Sequence, residues 1–112
     1  MVNQGDIFYV NFNPSLGHEQ KKRRPAIALS NDLVCKKSNM TIVAPISSTE
    51  RNFPMYFKLS GINNVHGKVM LDQTIALDLK ARGVNDNDII GHVSKDELKD
   101  IIYLYKLLFS ID

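Results

Sequence analysis

Tryptophan is absent from this chain of 112 residues, and cysteine occurs once, at Cys35. A single thiol excludes an internal disulfide and cannot build a thiolate metal site, so the expected compartment is the cytoplasm. No apolar run approaches the ~20 residues that a membrane-spanning helix needs. The opening residues, Met1 to Asp6, lack the basic-then-apolar layout of a secretory leader. Glycine is sparse too. Gly5, Gly17, Gly61, Gly67, Gly83 and Gly91 each stand alone, so no glycine-rich phosphate loop is present and no nucleotide cofactor is expected. His18, His66 and His92 are scattered, with no second ligand at helical or hairpin spacing. Asp86 and Asp88 sit in a stretch rich in Asp and Asn, which reads as a turn, so no metal site is expected. There is no internal repeat, low-complexity tract or linker, and residues 1–112 read as one domain.

What the chain does contain is ordinary globular material, 44% apolar and 23% charged. At this length that is enough for one core without staples. The formal net charge is only +2, but its placement is uneven. Residues 1–71 carry nine Lys/Arg against four Asp/Glu, whereas residues 72–112 carry five against eight. Four cations are consecutive: Lys21, Lys22, Arg23 and Arg24. A local cationic loop can hold a polyanion. A charge run by itself is more often a solvated loop.

Hydrophobic patterning predicts many short strands and one terminal helix. Residues 6–12 are β-branched and aromatic, a strand signature, and 13–17 read as a turn. Pro25 keeps Arg24 extended and leads into the apolar run 26–29. A turn at 30–32 follows, then strands at 41–46, 55–59, 68–71, 74–77 and 89–93, with a loop at 47–54 and a turn at 61–67. Met55, Phe57 and Leu59 alternate onto one face. Ser94 with Glu97 three residues on has the form of a capping box. Leu98, Ile101, Ile102, Tyr105, Leu108 and Phe109 then recur at helical spacing, which predicts an amphipathic helix of about four turns. The expected architecture is mainly β: a small, strongly curved sheet or barrel with a C-terminal α-helix packed on it.

One segment combines a titratable base, a carboxylate and fixed cations: Gly17-His18-Glu19-Gln20-Lys21-Lys22-Arg23-Arg24. Cleaving RNA without a metal needs those parts. The 2′-hydroxyl needs a general base, the crowded phosphorus centre needs preorganised positive charge, and the leaving 5′-oxygen needs a proton. An arginine supplies its charge at any accessible pH. A nucleic-acid binder without chemistry would use the same cations.

Further residues narrow the choice. Gly5-Asp6-Ile7-Phe8-Tyr9-Val10-Asn11-Phe12, then Gly17-His18-Glu19-Gln20, then Arg23-Arg24-Pro25-Ala26-Ile27-Ala28-Leu29-Ser30 form an ordered series. Val43-Ala44-Pro45-Ile46-Ser47-Ser48, Leu71-Asp72-Gln73 and Ala81-Arg82-Gly83 continue it over nearly the whole chain. The series resembles the MazF/PemK family of toxin endoribonucleases. The resemblance implies a small SH3-like barrel with a C-terminal helix, acting as a homodimer without cofactor. It implies sequence-specific cutting of single-stranded mRNA by attack of the RNA's own 2′-hydroxyl, leaving a 2′,3′-cyclic phosphate and a 5′-hydroxyl. It also implies a cognate MazE-like antitoxin that blocks the site with an acidic, disordered tail.

On that resemblance the catalytic arginine falls on Arg24 and the catalytic threonine on Ser47. Serine keeps the hydroxyl but loses the methyl that fixes its rotamer. Glu19 matches a loop glutamate. Expected RNA-binding or loop-positioning residues are His18, Glu19, Gln20, Lys21, Lys22, Arg23, Ser48, Gln73 and Arg82. The plain alternatives are that Arg24 is a strand-edge cation and that Ser47 caps a turn. His18 is a possible base near pH 7, although the family does not rely on a histidine there. Tyr56, Phe57 and Phe53 could stack bases, but Phe57 alternates as core and Phe53 merely lies near the loop. A competing function comes from the CcdB-like toxins of the same fold, which poison DNA gyrase by binding. Known gyrase binders end in a tryptophan-containing tail, and this chain has no tryptophan. A catalytically dead RNA-binding barrel is the third reading.

Overall fold

Period-two alternation of apolar residues builds most of the molecule. The computed structural model describes residues 1–12, 23–61 and 64–112. Its strands are β1 (Asp6–Asn11), β2 (Arg23–Ala28), β3 (Thr41–Ser47), β4 (Tyr56–Lys58), β5 (Lys68–Met70), β6 (Ile75–Leu77) and β7 (Ile89–His92). Two helices accompany them, α1 (Asp32–Ser38) and α2 (Lys95–Leu107). All described pairings are antiparallel, in the order β4-β5-β3-β2-β1-β7, with β6 also on β3. Among the described residues no ladder joins β7 to β4, so the sheet has two ends. The fold is thus mainly β, an antiparallel sheet with a C-terminal helix.

Alternation gives the sheet two buried faces. On one, Ile7, Ile27, Ala44, Ile46 and Val69 pack with Ile101 of α2. On the other, Phe8, Val10, Ala26, Ala28 and Val43 pack with Val2, Leu77 and Leu79. Phe8, Ile27, Leu71 and Ile101 are fully buried, and each such side chain contributes about 1.5–3 kcal/mol by leaving water. β5 and β6 share one edge of β3, and a 3-10 turn at Leu71–Gln73 takes up the slack between their two registers.

Three local features depart from the expected pattern. α1 was not anticipated, because it buries no residue and so leaves no apolar period. It is set by its caps instead. The Asn31 side chain accepts from the Val34 amide, and Asn39 closes the helix in the left-handed region at φ 61°. At α2 the Ser94 hydroxyl accepts from the Glu97 amide at 3.1 Å, as the capping signature predicts. The Glu97 carboxylate, however, accepts from the Ser60 amide at 2.9 Å and the Ser60 hydroxyl at 3.2 Å, which ties the chain after β4 to the helix start. Finally, the apolar stripe of α2 packs through Leu98, Ile101, Ile102 and Tyr105, but Phe109 stays 69% exposed beyond the helix end. No described helix is long and apolar enough to cross a membrane.

Candidate active site

The site is built by strand register. β2 and β3 pair as Ala26↔Pro45, Ile27↔Ala44 and Ala28↔Val43. Carried two residues past the last pair, that register assigns Arg24 and Ser47 to the same face of the sheet. β3 and β5 pair Ser47 with Lys68, and β4 and β5 pair Lys58 with Lys68. Residues opposite one another project from the same face. Ser47, Lys68 and Lys58 therefore form one row across three adjacent strands, each step ~4.8 Å. Arg24, paired with Val10 of β1, lies on the same face at the neighbouring end of β2, beyond the last β2–β3 pair. That face carries two lysines in line with one hydroxyl, and an arginine on the strand alongside.

Each member has a distinct setting. Arg24 is exposed, and among the described residues its guanidinium makes no hydrogen bond or ion pair. Ser47 is half-buried, and its Oγ accepts from the Thr49 amide at 3.1 Å. That uses the oxygen as a turn cap and leaves the hydroxyl proton to donate. Lys68 donates from Nζ to the Arg51 carbonyl at 2.7 Å and to Asn52 Oδ1 at 2.8 Å. Gly67, beside it, lies at φ +132°. A Cβ there would stand 2.8 Å from Ile46 Cγ2 and 2.9 Å from the Ser47 carbonyl, so this strand start admits only glycine. Between the turn at 48–52 and the lysines lies a cleft of about 450 Å³, lined by Ser48, Asn52, Lys58, His66 and Lys68 among others. Phe53 and Tyr56 pack against one another with ring centroids 5.3 Å apart. Phe57 packs toward the core.

The remaining anticipated residues are distributed differently. Arg23 points to the opposite face from Arg24. It pairs with Asp88, reaches the Tyr9 carbonyl at 3.4 Å and lies over the Tyr9 ring at 5.8 Å. Arg82 is half-buried and donates from Nη1 to the Asn11 carbonyl at 2.7 Å, at the end of β1 that borders Arg24. Ser48 is exposed at the cleft. Gln73 is exposed on the 3-10 turn, farther back along β3 and outside the row. His18, Glu19, Gln20, Lys21 and Lys22 lie outside the described residues. Among the described residues no group of three or more His, Cys, Asp or Glu could hold a metal ion.

Comparison with known proteins follows the same outline. A family profile described as "PemK-like, MazF-like toxin of type II toxin-antitoxin system" matches residues 3–108. The chain belongs to this toxin family. It is 32% identical over 95 residues to the endoribonuclease toxin MazF of Escherichia coli K12, covering 85% of this chain and 82% of that one. It is 40% identical over 85 residues to the endoribonuclease toxin ChpB of the same strain, covering 70% and 72%. Among solved structures, MazF of Deinococcus radiodurans superposes with a TM-score of 0.78 at 26% identity, over 97% of this chain and 96% of that one.

Two members of the toxin's cationic row, Lys58 and Lys68, were missed in the sequence. Alternation in Tyr56-Phe57-Lys58 and Lys68-Val69-Met70 does place each lysine on the face opposite a residue that packs on the core. What it cannot show is that β5 pairs with the end of β3, because that contact joins strands separated by the whole of β4. The register between distant strands was the missing signal.

Proposed function

We propose that this toxin is a sequence-specific, metal-independent endoribonuclease that cuts single-stranded mRNA. What supports the reading is that the β2–β3 register assigns Arg24 and Ser47 to one sheet face, with Lys68 paired to Ser47. The RNA's 2′-oxygen attacks phosphorus as its proton passes to a base, and Glu19 and His18 are the candidates in the neighbouring segment. The bond from phosphorus to the 5′-oxygen breaks and that oxygen takes up a proton, leaving a 2′,3′-cyclic phosphate and a 5′-hydroxyl. The Arg24 guanidinium stabilises the crowded dianionic phosphorane, and the Ser47 hydroxyl donates to a non-bridging oxygen. Lys58 and Lys68 extend the positive field along the strand of RNA. Phe53 and Tyr56 offer a face on which a base can stack.

In this reading the sheet is the core of an SH3-like, strongly curved barrel, and the toxin works as a cytoplasmic homodimer. Its cognate antitoxin, MazE-like with an acidic disordered tail, neutralises it by covering the same cations. The test incubates the purified chain with mixed single-stranded RNAs and a chelator, and maps product ends. Discrete cuts bearing 5′-hydroxyl ends are expected. Intact RNA in the presence of folded protein would refute the reading, and gyrase inhibition without RNA cutting would move the function to a binding toxin.

A further inference from the structure

Serine at position 47 poses a physical problem for a reaction that needs one hydroxyl direction. Without a second heavy atom on Cβ, its χ1 has three staggered wells of similar energy. The structure supplies a restraint from outside the side chain. The Ser47 Oγ accepts from the Thr49 amide at 3.1 Å, and Thr49 Oγ1 accepts from the Arg51 amide at 3.2 Å. These two serial turns would be free to open at their far end. That end is closed by Lys68, whose Nζ donates to the Arg51 carbonyl at 2.7 Å and to Asn52 Oδ1 at 2.8 Å. Lys68 is also the cross-strand partner of Ser47. The result is a closed circuit. It runs from Ser47 through its own turn to Asn52, across the Lys68 ammonium, and back through the β3–β5 ladder to Ser47.

We propose that Lys68 is a positioning residue that holds the Ser47 hydroxyl in one rotamer, replacing the restraint a γ-methyl would give. The proposal rests on the reading of Ser47 as the hydroxyl donor. Removing the ammonium frees the Arg51 carbonyl and the Asn52 amide, and the turn opens. The Thr49 amide then no longer fixes the Ser47 oxygen. A misplacement of about 1 Å at a reacting group can cost about a hundredfold in rate. The lysine charge also contributes to RNA affinity, so loss of that charge alone would raise KM. Loss of positioning lowers kcat, and a threonine restores it.

The experiment is a double-mutant cycle on RNA cleavage, with Lys68→Met, Ser47→Thr and both together. Lys68→Met is expected to lower kcat about 10- to 100-fold. Adding Ser47→Thr is expected to raise kcat in the Lys68→Met background at least about fivefold more than in the wild-type background. Amide exchange at Thr49 and Arg51 is expected to accelerate in Lys68→Met and not elsewhere in β3. Asn52→Ala removes one acceptor without changing charge, and should give a smaller kcat loss with the same rescue. It keeps the test available if Lys68→Met does not fold. A loss confined to KM, or a kcat loss that threonine does not relieve, would overturn the positioning role. Ser47→Ala separates the two failures: if it cuts at the wild-type rate, the reading of Ser47 falls. If Ser47→Ala is inactive while Lys68→Met keeps its kcat, only the Lys68 proposal falls.

Discussion

Arg23 and Arg24 are neighbours in the chain yet leave β2 on opposite faces, one tied to Asp88 and the other exposed. A strand turns every second side chain to the other side, so a run of cations that reads as one patch is divided in two. Arg24 shares the sheet face of Ser47 and Lys68, and Arg23 joins the fold.

Replacement of Arg24 is therefore expected to act on chemistry alone. Among the described residues its guanidinium has no partner to lose, so Arg24→Ala should change stability by no more than about 0.5 kcal/mol. Cleavage should fall about a hundred- to a thousandfold, the usual cost of removing one preorganised donor from a developing anion. Arg24→Lys keeps the charge but loses the planar fork, and should fall between. Thermal melting beside single-turnover RNA cleavage checks both halves, and a well-folded Arg24→Ala protein with wild-type rates would remove Arg24 from the mechanism.

Arg23 should behave in the reverse way. Its side chain is 21% exposed and that of Asp88 12%, so the pair is largely shielded from solvent. Arg23→Ala leaves the Asp88 carboxylate and the Tyr9 carbonyl without this donor, at a cost of about 1–3 kcal/mol. The expected result is a lower melting temperature with kcat and KM of the folded protein within about threefold of wild type. A raised KM at unchanged stability would instead place Arg23 on the RNA.

Arg82 lies between those cases. Its Nη1 holds the Asn11 carbonyl at 2.7 Å, next to the start of the undescribed stretch that carries His18 and Glu19. Charge-assisted bonds of this kind are worth about 1.5–3 kcal/mol, and Arg82→Ala should lose stability on that scale. The salt dependence of RNA binding distinguishes anchoring from contact. A phosphate contact contributes about one unit to the slope of log affinity against log salt. An unchanged slope is expected for Arg82→Ala, and a reduced slope would show that Arg82 touches RNA.

The strands were largely legible in the sequence, because β1, β3 and β7 each announce themselves through local alternation or β-branched runs. So was the capped start of α2 at Ser94. α1 was not, because its signals are two Asn caps rather than an apolar face. Arg24 and Ser47 were singled out through the ordered motifs around Pro25 and Pro45, and neither residue's own pattern says that they share a face. That shared face follows from the β2–β3 register, which packs Ile27, Ala44 and Ile46 into one core. Lys58 and Lys68 required the β3–β5 pairing in addition. Such non-local ladders leave no period in the chain.

Gly67 offers the last and most discriminating substitution. Its φ of +132° disfavours any side chain, and a Cβ would press on Ile46 Cγ2 at 2.8 Å and on the Ser47 carbonyl at 2.9 Å. Gly67→Ala must therefore displace the end of β3, because the backbone of Ser47 cannot rotate away as a side chain could. Overpacking of this kind costs about 1–3 kcal/mol, and the displacement moves the hydroxyl relative to Arg24. Gly61 supplies the control. It also has positive φ, at +86°, but the three atoms nearest its added Cβ would be those of the His66 ring, on an exposed side chain that can swing aside. Both variants should lose stability from backbone strain. Only Gly67→Ala should also lose kcat, about tenfold or more, when assayed well below its melting temperature. Equal kcat in the two variants would mean that the end of β3 does not set the geometry of cleavage.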